Sequence, residues 1–141
     1  MTKLVPKLVP KTLLLLSTAT IAGALLGGVF AGQSTAQDLQ NGANSFRKCR
    51  ACHDTGPNAV NKVGPPLNGI YGRTAGSYPG FTYSEAMRTA GSKKLAWTDE
   101  SLNGYLESPS TYLPKNKMAF KGIPNEAERA DLIAFLKTLK P

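Results

Sequence analysis

The residues best suited to chemistry sit together. The 141-residue chain has two cysteines and one histidine, and all three fall in Cys49-Arg50-Ala51-Cys52-His53. Two thiols three positions apart, followed at once by an imidazole, have the spacing for covalent haem attachment. Each thiol adds to one vinyl group, and the adjacent histidine reaches the iron on the same face. Other readings use the residues less fully. A thioredoxin-like Cys-x-x-Cys pair belongs in a strand-helix-strand context that this chain does not offer. A structural disulfide leaves His53 without a role. A four-ligand zinc site of Cys and His is excluded, since only three such ligands exist, and any other metal site would have to recruit carboxylates.

Haem iron takes two axial ligands. With a single histidine, the second comes from another residue type or stays open, and methionine is the natural candidate. Met87 and Met118 are available beyond the N-terminal segment. Met87, among Glu85, Ala86 and Arg88, reads first as a core or haem-packing residue, because methionine commonly fills gaps. Met118 lies in Pro114-Lys115-Asn116-Lys117-Met118-Ala119-Phe120, a loop between two helical segments. Such a loop can lay a side chain across a haem without breaking a helix.

These residues need a scaffold, and the chain length allows one domain. Residues 1–36 carry Lys3, Lys7 and Lys11 and no acid, then an apolar stretch over 13–30, then Gly32-Gln33-Ser34-Thr35-Ala36. That order predicts a signal peptide cleaved before Gln37, with residues 37–141 as the exported domain. An uncleaved anchor is the competing reading, at the lower length limit for a membrane span. Export implies the periplasm or an equivalent compartment, where disulfides can persist. Removing three signal lysines from 17 basic residues leaves 14 against nine acidic ones, so the domain stays basic. The composition, 41% hydrophobic and 18% charged, is that of a globular protein.

Four helical segments can be read from apolar spacing. Leu39, Ala43 and Phe46 line one face of the first, which runs into the cysteine cluster. A short second turn begins after Ser84 and ends near Gly91. Thr98 is a candidate N-cap for a third helix with a stripe of Leu102, Tyr105 and Leu106, stopped by Pro109. Asn125 and Glu128 have the spacing of a variant capping box for the last helix, whose stripe is Leu132, Phe135, Leu136 and Leu139. Gly- and Pro-rich loops join them, and no strand pattern is present. An all-α domain this small, with so much loop, has little helix-on-helix contact, so another group is expected to fill its centre.

Residues 38–140 resemble a class I cytochrome c of the bacterial type close to mitochondrial cytochrome c. The matching stretches include Gly42-x-x-x-Phe46, Cys49 to His53, Lys62-Val63-Gly64-Pro65, Pro79-Gly80-Phe81-Thr82-Tyr83, Trp97, Tyr105-Leu106-Glu107-Ser108-Pro109, Lys117-Met118 and Asp131-Leu132-Ile133-Ala134-Phe135-Leu136. The resemblance implies a small cytochrome c fold of three to five helices around one covalent haem c. It implies Met118 as the sixth ligand, a hydrogen bond from His53 to the Pro65 carbonyl, Tyr105 beside the methionine sulfur, and Arg73, Tyr83 and Trp97 at the propionates. It also implies that Gly42 and Phe46 cross the last helix at Leu132 and Phe135. Met87 stands where mitochondrial relatives usually have Asn, and Lys115 and Asn116 where Gly and Thr commonly precede the Lys-Met pair. Asn tolerates a left-handed backbone and can still donate a hydrogen bond, so the loop is expected to form.

With both axial positions filled by protein, substrate cannot reach iron, and the implied activity is one-electron transfer through an exposed haem edge rather than catalysis. Lys48, Lys62, Lys115, Lys117 and Lys121 flank the segments expected to touch haem, a basic rim suited to acidic patches on membrane redox complexes. Lys93, Lys94, Lys137 and Lys140 read as solvated. The basic residues form no dense run, which with export argues against nucleic acid. The sequence thus predicts a monomeric periplasmic carrier from a cytochrome bc-type complex to a terminal oxidase or photosynthetic reaction centre, with no small-molecule substrate. A dedicated acceptor for a periplasmic dehydrogenase and a haem peroxidase-like enzyme are the alternatives.

Overall fold

The computed structural model describes residues 37–141. The signal peptide expected over 1–36 lies outside the described residues. In chain order the helices are α1 (Leu39–Phe46), α2 (Glu85–Ser92), α3 (Asp99–Glu107), α4 (Pro109–Tyr112) and α5 (Glu126–Thr138). Among the described residues the only β pairing is an isolated antiparallel bridge between Thr74 and Ala96. The fold is therefore all-α. No described helix is long and apolar enough to cross a membrane.

Four of the five helices start at a short polar side chain that takes up amides with no partner inside the helix. Asp38 accepts from the Gln40 and Asn41 N–H groups at 2.8 and 3.0 Å. Ser84 accepts from Met87 at 3.2 Å. Thr98 and Ser101 form a reciprocal capping box. Asn125 accepts from Glu128 at 2.9 Å. The variant box expected at Asn125 is only half formed, because the Glu128 carboxylate turns towards α1 and accepts from Ser45 Oγ and Lys48 Nζ. A capping contact is thus exchanged for a tie between the first and last helices. α4 was not predicted: Pro109 ends α3 but, at a first-turn position where its missing N–H costs nothing, also starts the next helix.

The α1–α5 crossing depends on Gly42. A Cβ there would lie 2.2 Å from the Asp131 carbonyl oxygen and 2.8 Å from Phe135 Cβ, so only glycine lets the backbones meet. One turn on, the Phe46 and Phe135 rings are 5.2 Å apart. The crossing follows the resemblance, with the Asp131 backbone as the surface that Gly42 meets. α3 packs on α5 as well, and the core runs from Phe46 through Leu102, Leu106, Leu132 and Leu136 to Ile123. Phe135 and Leu139, expected in the buried stripe of α5, are half-buried at its edge.

Candidate functional site

The loops and α3 and α5 surround one cavity of about 340 Å³ with mostly apolar walls. Cys49, Cys52, His53, Pro65, Arg73, Tyr83, Trp97, Tyr105 and Met118 all line it. So does the buried Met87, where the sequence suggested a packing role.

The cysteine–histidine wall is shaped by the chain leaving α1 in tight turns. The Cys52 and His53 amides both bond to the Cys49 carbonyl, at 3.1 and 2.9 Å, which folds the motif over itself. Cys49 and Cys52 are not joined as a disulfide. Burial pushes the Cys49 thiol up to about 11 against the pull of Lys48. His53 Nδ1 lies 2.7 Å from the Pro65 carbonyl oxygen. A carbonyl only accepts, so the ring proton is on Nδ1 and Nε2 keeps its lone pair. Burial lowers the His53 pKa, with Arg73 adding to the effect and the Pro65 bond opposing it. The result is the neutral imidazole that a metal ligand requires. Gly64 presses against this ring: a Cβ there would lie 2.4 Å from Cε1 and 2.7 Å from Nδ1.

Met118 also lines the cavity, with its sulfur 3.9 Å from the Tyr105 hydroxyl. Burial raises the Tyr105 pKa to about 12, so the hydroxyl stays a donor. The segment leading to Met118 departs from expectation. The residue with a left-handed backbone is Lys115, at φ 65°, and not Asn116. Asn116 instead sends its side chain back into the loop.

Arg73, also on the lining, donates to the Asn68 and Pro66 carbonyls at 2.9 and 3.1 Å and lies over the Tyr78 ring at 5.0 Å. It has no carboxylate at ion-pair distance among the described residues. Tyr83 accepts at its hydroxyl from the Tyr78 N–H at 3.3 Å. Trp97 packs at 4.9 Å on Tyr105.

This set fits a haem. Two thiols, a neutral imidazole with a free Nε2 and a thioether line one cavity, and a half-buried guanidinium without a counter-ion faces that cavity, which propionates would enter. The basic rim is smaller than the sequence suggested, because Lys48 is paired with Glu128 and Lys62 with Asp54. Lys115, Lys117 and Lys121 are exposed without a carboxylate partner among the described residues. Lys137, read as solvated, pairs with Asp99 and lies 4.8 Å from the Tyr71 ring. Sequence reasoning gave no role to Gly64, and for Asn116 it expected a hydrogen-bond donor without naming its partners, which are the Pro109 and Leu113 carbonyls. Only their neighbours in space reveal these contacts.

Residues 39–140 match the family model described as cytochrome c. Cytochrome c-550 of Ancylobacter novellus is 52% identical over 97 residues, spanning 69% of this chain and 91% of that protein. Cytochrome c2 of Afifella marina is 47% identical over 97 residues, spanning 69% and 78%. The solved structure of cytochrome c2 from Rhodospirillum centenum superposes with a TM-score of 0.70 at 40% identity, covering 74% of this chain and 99% of that one. The chain belongs to the cytochrome c family, as an electron carrier and not an enzyme, with one haem c bound covalently through Cys49 and Cys52.

Proposed function

We propose that the protein is a periplasmic one-electron carrier whose haem iron is held between His53 Nε2 and the Met118 sulfur, and that it runs between a cytochrome bc-type complex and a terminal oxidase or photosynthetic reaction centre. The carrying observation is the pairing of a neutral His53, fixed by Pro65, with a thioether lining the same cavity. When bound, the haem supplies a one-electron couple whose oxidised form bears one more positive charge. The chain's part is to bias and protect that couple. Apolar walls disfavour the extra charge, and a soft thioether favours the reduced metal, so both raise the potential. The half-buried Arg73 adds a positive charge at the rim and supplies donors for a carboxylate.

Partner docking rests on Lys115, Lys117 and Lys121, exposed lysines within three residues of Met118 in the chain, of which Lys117 lines the cavity. Their field would draw in acidic partner surfaces and speed encounter at low salt. The test is oxidation of the reduced protein by purified terminal oxidase over a salt series, for the wild type and for a variant with all three lysines changed to Ala. The expected result is a second-order rate that falls steeply with salt and a flatter slope in the variant. A rate indifferent to salt and to the three lysines would overturn the docking assignment. Turnover with a periplasmic dehydrogenase but not with the oxidase would move the protein to the dedicated-acceptor role.

A further inference from the structure

We propose that Asn116 is the positioning residue for the sulfur ligand, a clasp that holds the Met118 loop closed against backbone strain at Lys115. The proposal rests on Met118 being an axial ligand. Leu113, Pro114, Lys115 and Asn116 form a turn in which the Asn116 N–H bonds to the Leu113 carbonyl at 3.2 Å. Proline second and a positive φ third is the pattern of a type II turn, whose third position favours glycine. This chain has Lys115 there, at φ 65°. A Cβ in that region crowds the backbone, so the turn alone is a poor support for a ligand three residues later.

The Asn116 carboxamide counters that strain. Its Nδ2 donates to the Pro109 carbonyl at 2.9 Å and the Leu113 carbonyl at 2.8 Å. Its Oδ1 accepts from the Met118 N–H at 2.7 Å and faces the Tyr105 hydroxyl at 3.5 Å. Two carbonyls on one end and an amide N–H on the other fix the orientation of the group, since the flipped amide would set acceptor against acceptor. One side chain therefore ties the end of α4 to the Met118 backbone. It also touches the same hydroxyl that lies 3.9 Å from the Met118 sulfur. Beyond Met118, Ile123 bonds to the Leu106 carbonyl at 2.8 Å, so the loop is pinned on both sides of the sulfur. On the side of the strained turn, the pin is Asn116.

The experiment uses the ferric holoprotein and measures imidazole affinity together with the weak long-wavelength absorption of sulfur bound to ferric haem. Asn116→Ala should bind imidazole about tenfold more tightly, the worth of one net hydrogen bond. Lys115→Gly should bind it about threefold more weakly, because strain relief exceeds the backbone freedom glycine regains. Asn68→Ala is the structural control. Asn68 makes two bonds of similar length to Gly56, 3.0 and 2.9 Å, away from the Met118 loop. Its loss should lower the melting temperature and leave imidazole affinity unchanged. Equal shifts in the Asn116 and Asn68 variants, or no shift in Asn116→Ala, would overturn the proposal. Met118→Ala separates the two assignments: loss of the absorption there supports sulfur ligation, and its persistence would overturn ligation and the clasp together.

Discussion

Replacing Gly64 with Ala tests how the histidine is held. Gly64 does not occupy the left-handed region, so alanine suits its backbone and the substitution isolates side-chain space. The new methyl would lie 2.4 Å from His53 Cε1, 2.7 Å from Nδ1 and 2.8 Å from Nε2, far inside contact distance along the whole ring. Gly64 cannot easily retreat, because its N–H is bound to the Cys52 carbonyl at 2.8 Å and its own carbonyl accepts from Lys62 at 3.0 Å. The imidazole must move, and the 2.7 Å bond to Pro65 goes with it. Overpacking of this kind costs about 1–3 kcal/mol and the lost hydrogen bond about 1 kcal/mol, so the expected destabilisation is about 2–4 kcal/mol. At about 4–8 °C per kcal/mol for a domain near 100 residues, the melting temperature should fall by about 8–32 °C.

The assay is thermal unfolding of the holoprotein followed by far-UV circular dichroism, with haem absorption recorded in parallel. Two changes are expected together: a lower melting temperature and a perturbed low-spin spectrum as the ring leaves its fixed orientation. A variant with wild-type melting and a wild-type spectrum would refute the argument that Gly64 and Pro65 jointly set the imidazole.

Gly42→Ala offers the contrasting case, a backbone clash with no imidazole nearby. Its Cβ would lie 2.2 Å from the Asp131 carbonyl oxygen, so about 3 kcal/mol should be lost from unfolding in urea while the absorption spectrum stays that of the wild type. An altered spectrum would mean that the α1–α5 crossing controls the site directly. Acid stability should depend on Asp99, whose carboxyl is held below its usual range by the bond from Lys137 and then by that from Tyr71. A lowered carboxylate pKa stabilises the fold above the unfolded value, near pH 4, and that contribution disappears as pH falls through the lower folded value. Asp99→Asn should therefore flatten the fall in urea midpoint between about pH 5 and pH 3, by less than about 1 kcal/mol for so exposed a pair. The same variant should flatten the alkaline limb, because Asp99 raises the Lys137 pKa and that contribution is lost as pH rises through it.

What the sequence disclosed follows the range of the interactions involved. The Cys49–His53 chemistry is set by covalent spacing along the chain, so it could be read without knowing what surrounds it. Helix starts after Ser84, Thr98 and Asn125 were legible for the same reason, since each caps an amide three residues ahead. Legibility ended where a residue's function depends on its neighbours in space. Glu128 has the right spacing to complete a capping box, yet Lys48 and Ser45 are more strongly placed donors, and both arrive from 80 or more residues away. The basic rim was overcounted for the same reason, since a list of lysines does not show that Lys48 and Lys62 already face acids. Asn116 is the instructive exception, because all its partners but Tyr105 lie within seven residues and still no pattern announced them. Loops have no period, and the useful sign was a local conflict: a lysine where the turn asks for glycine. A strained residue in a segment that must be held still implies a compensating contact nearby, and here that contact is the carboxamide next in the chain.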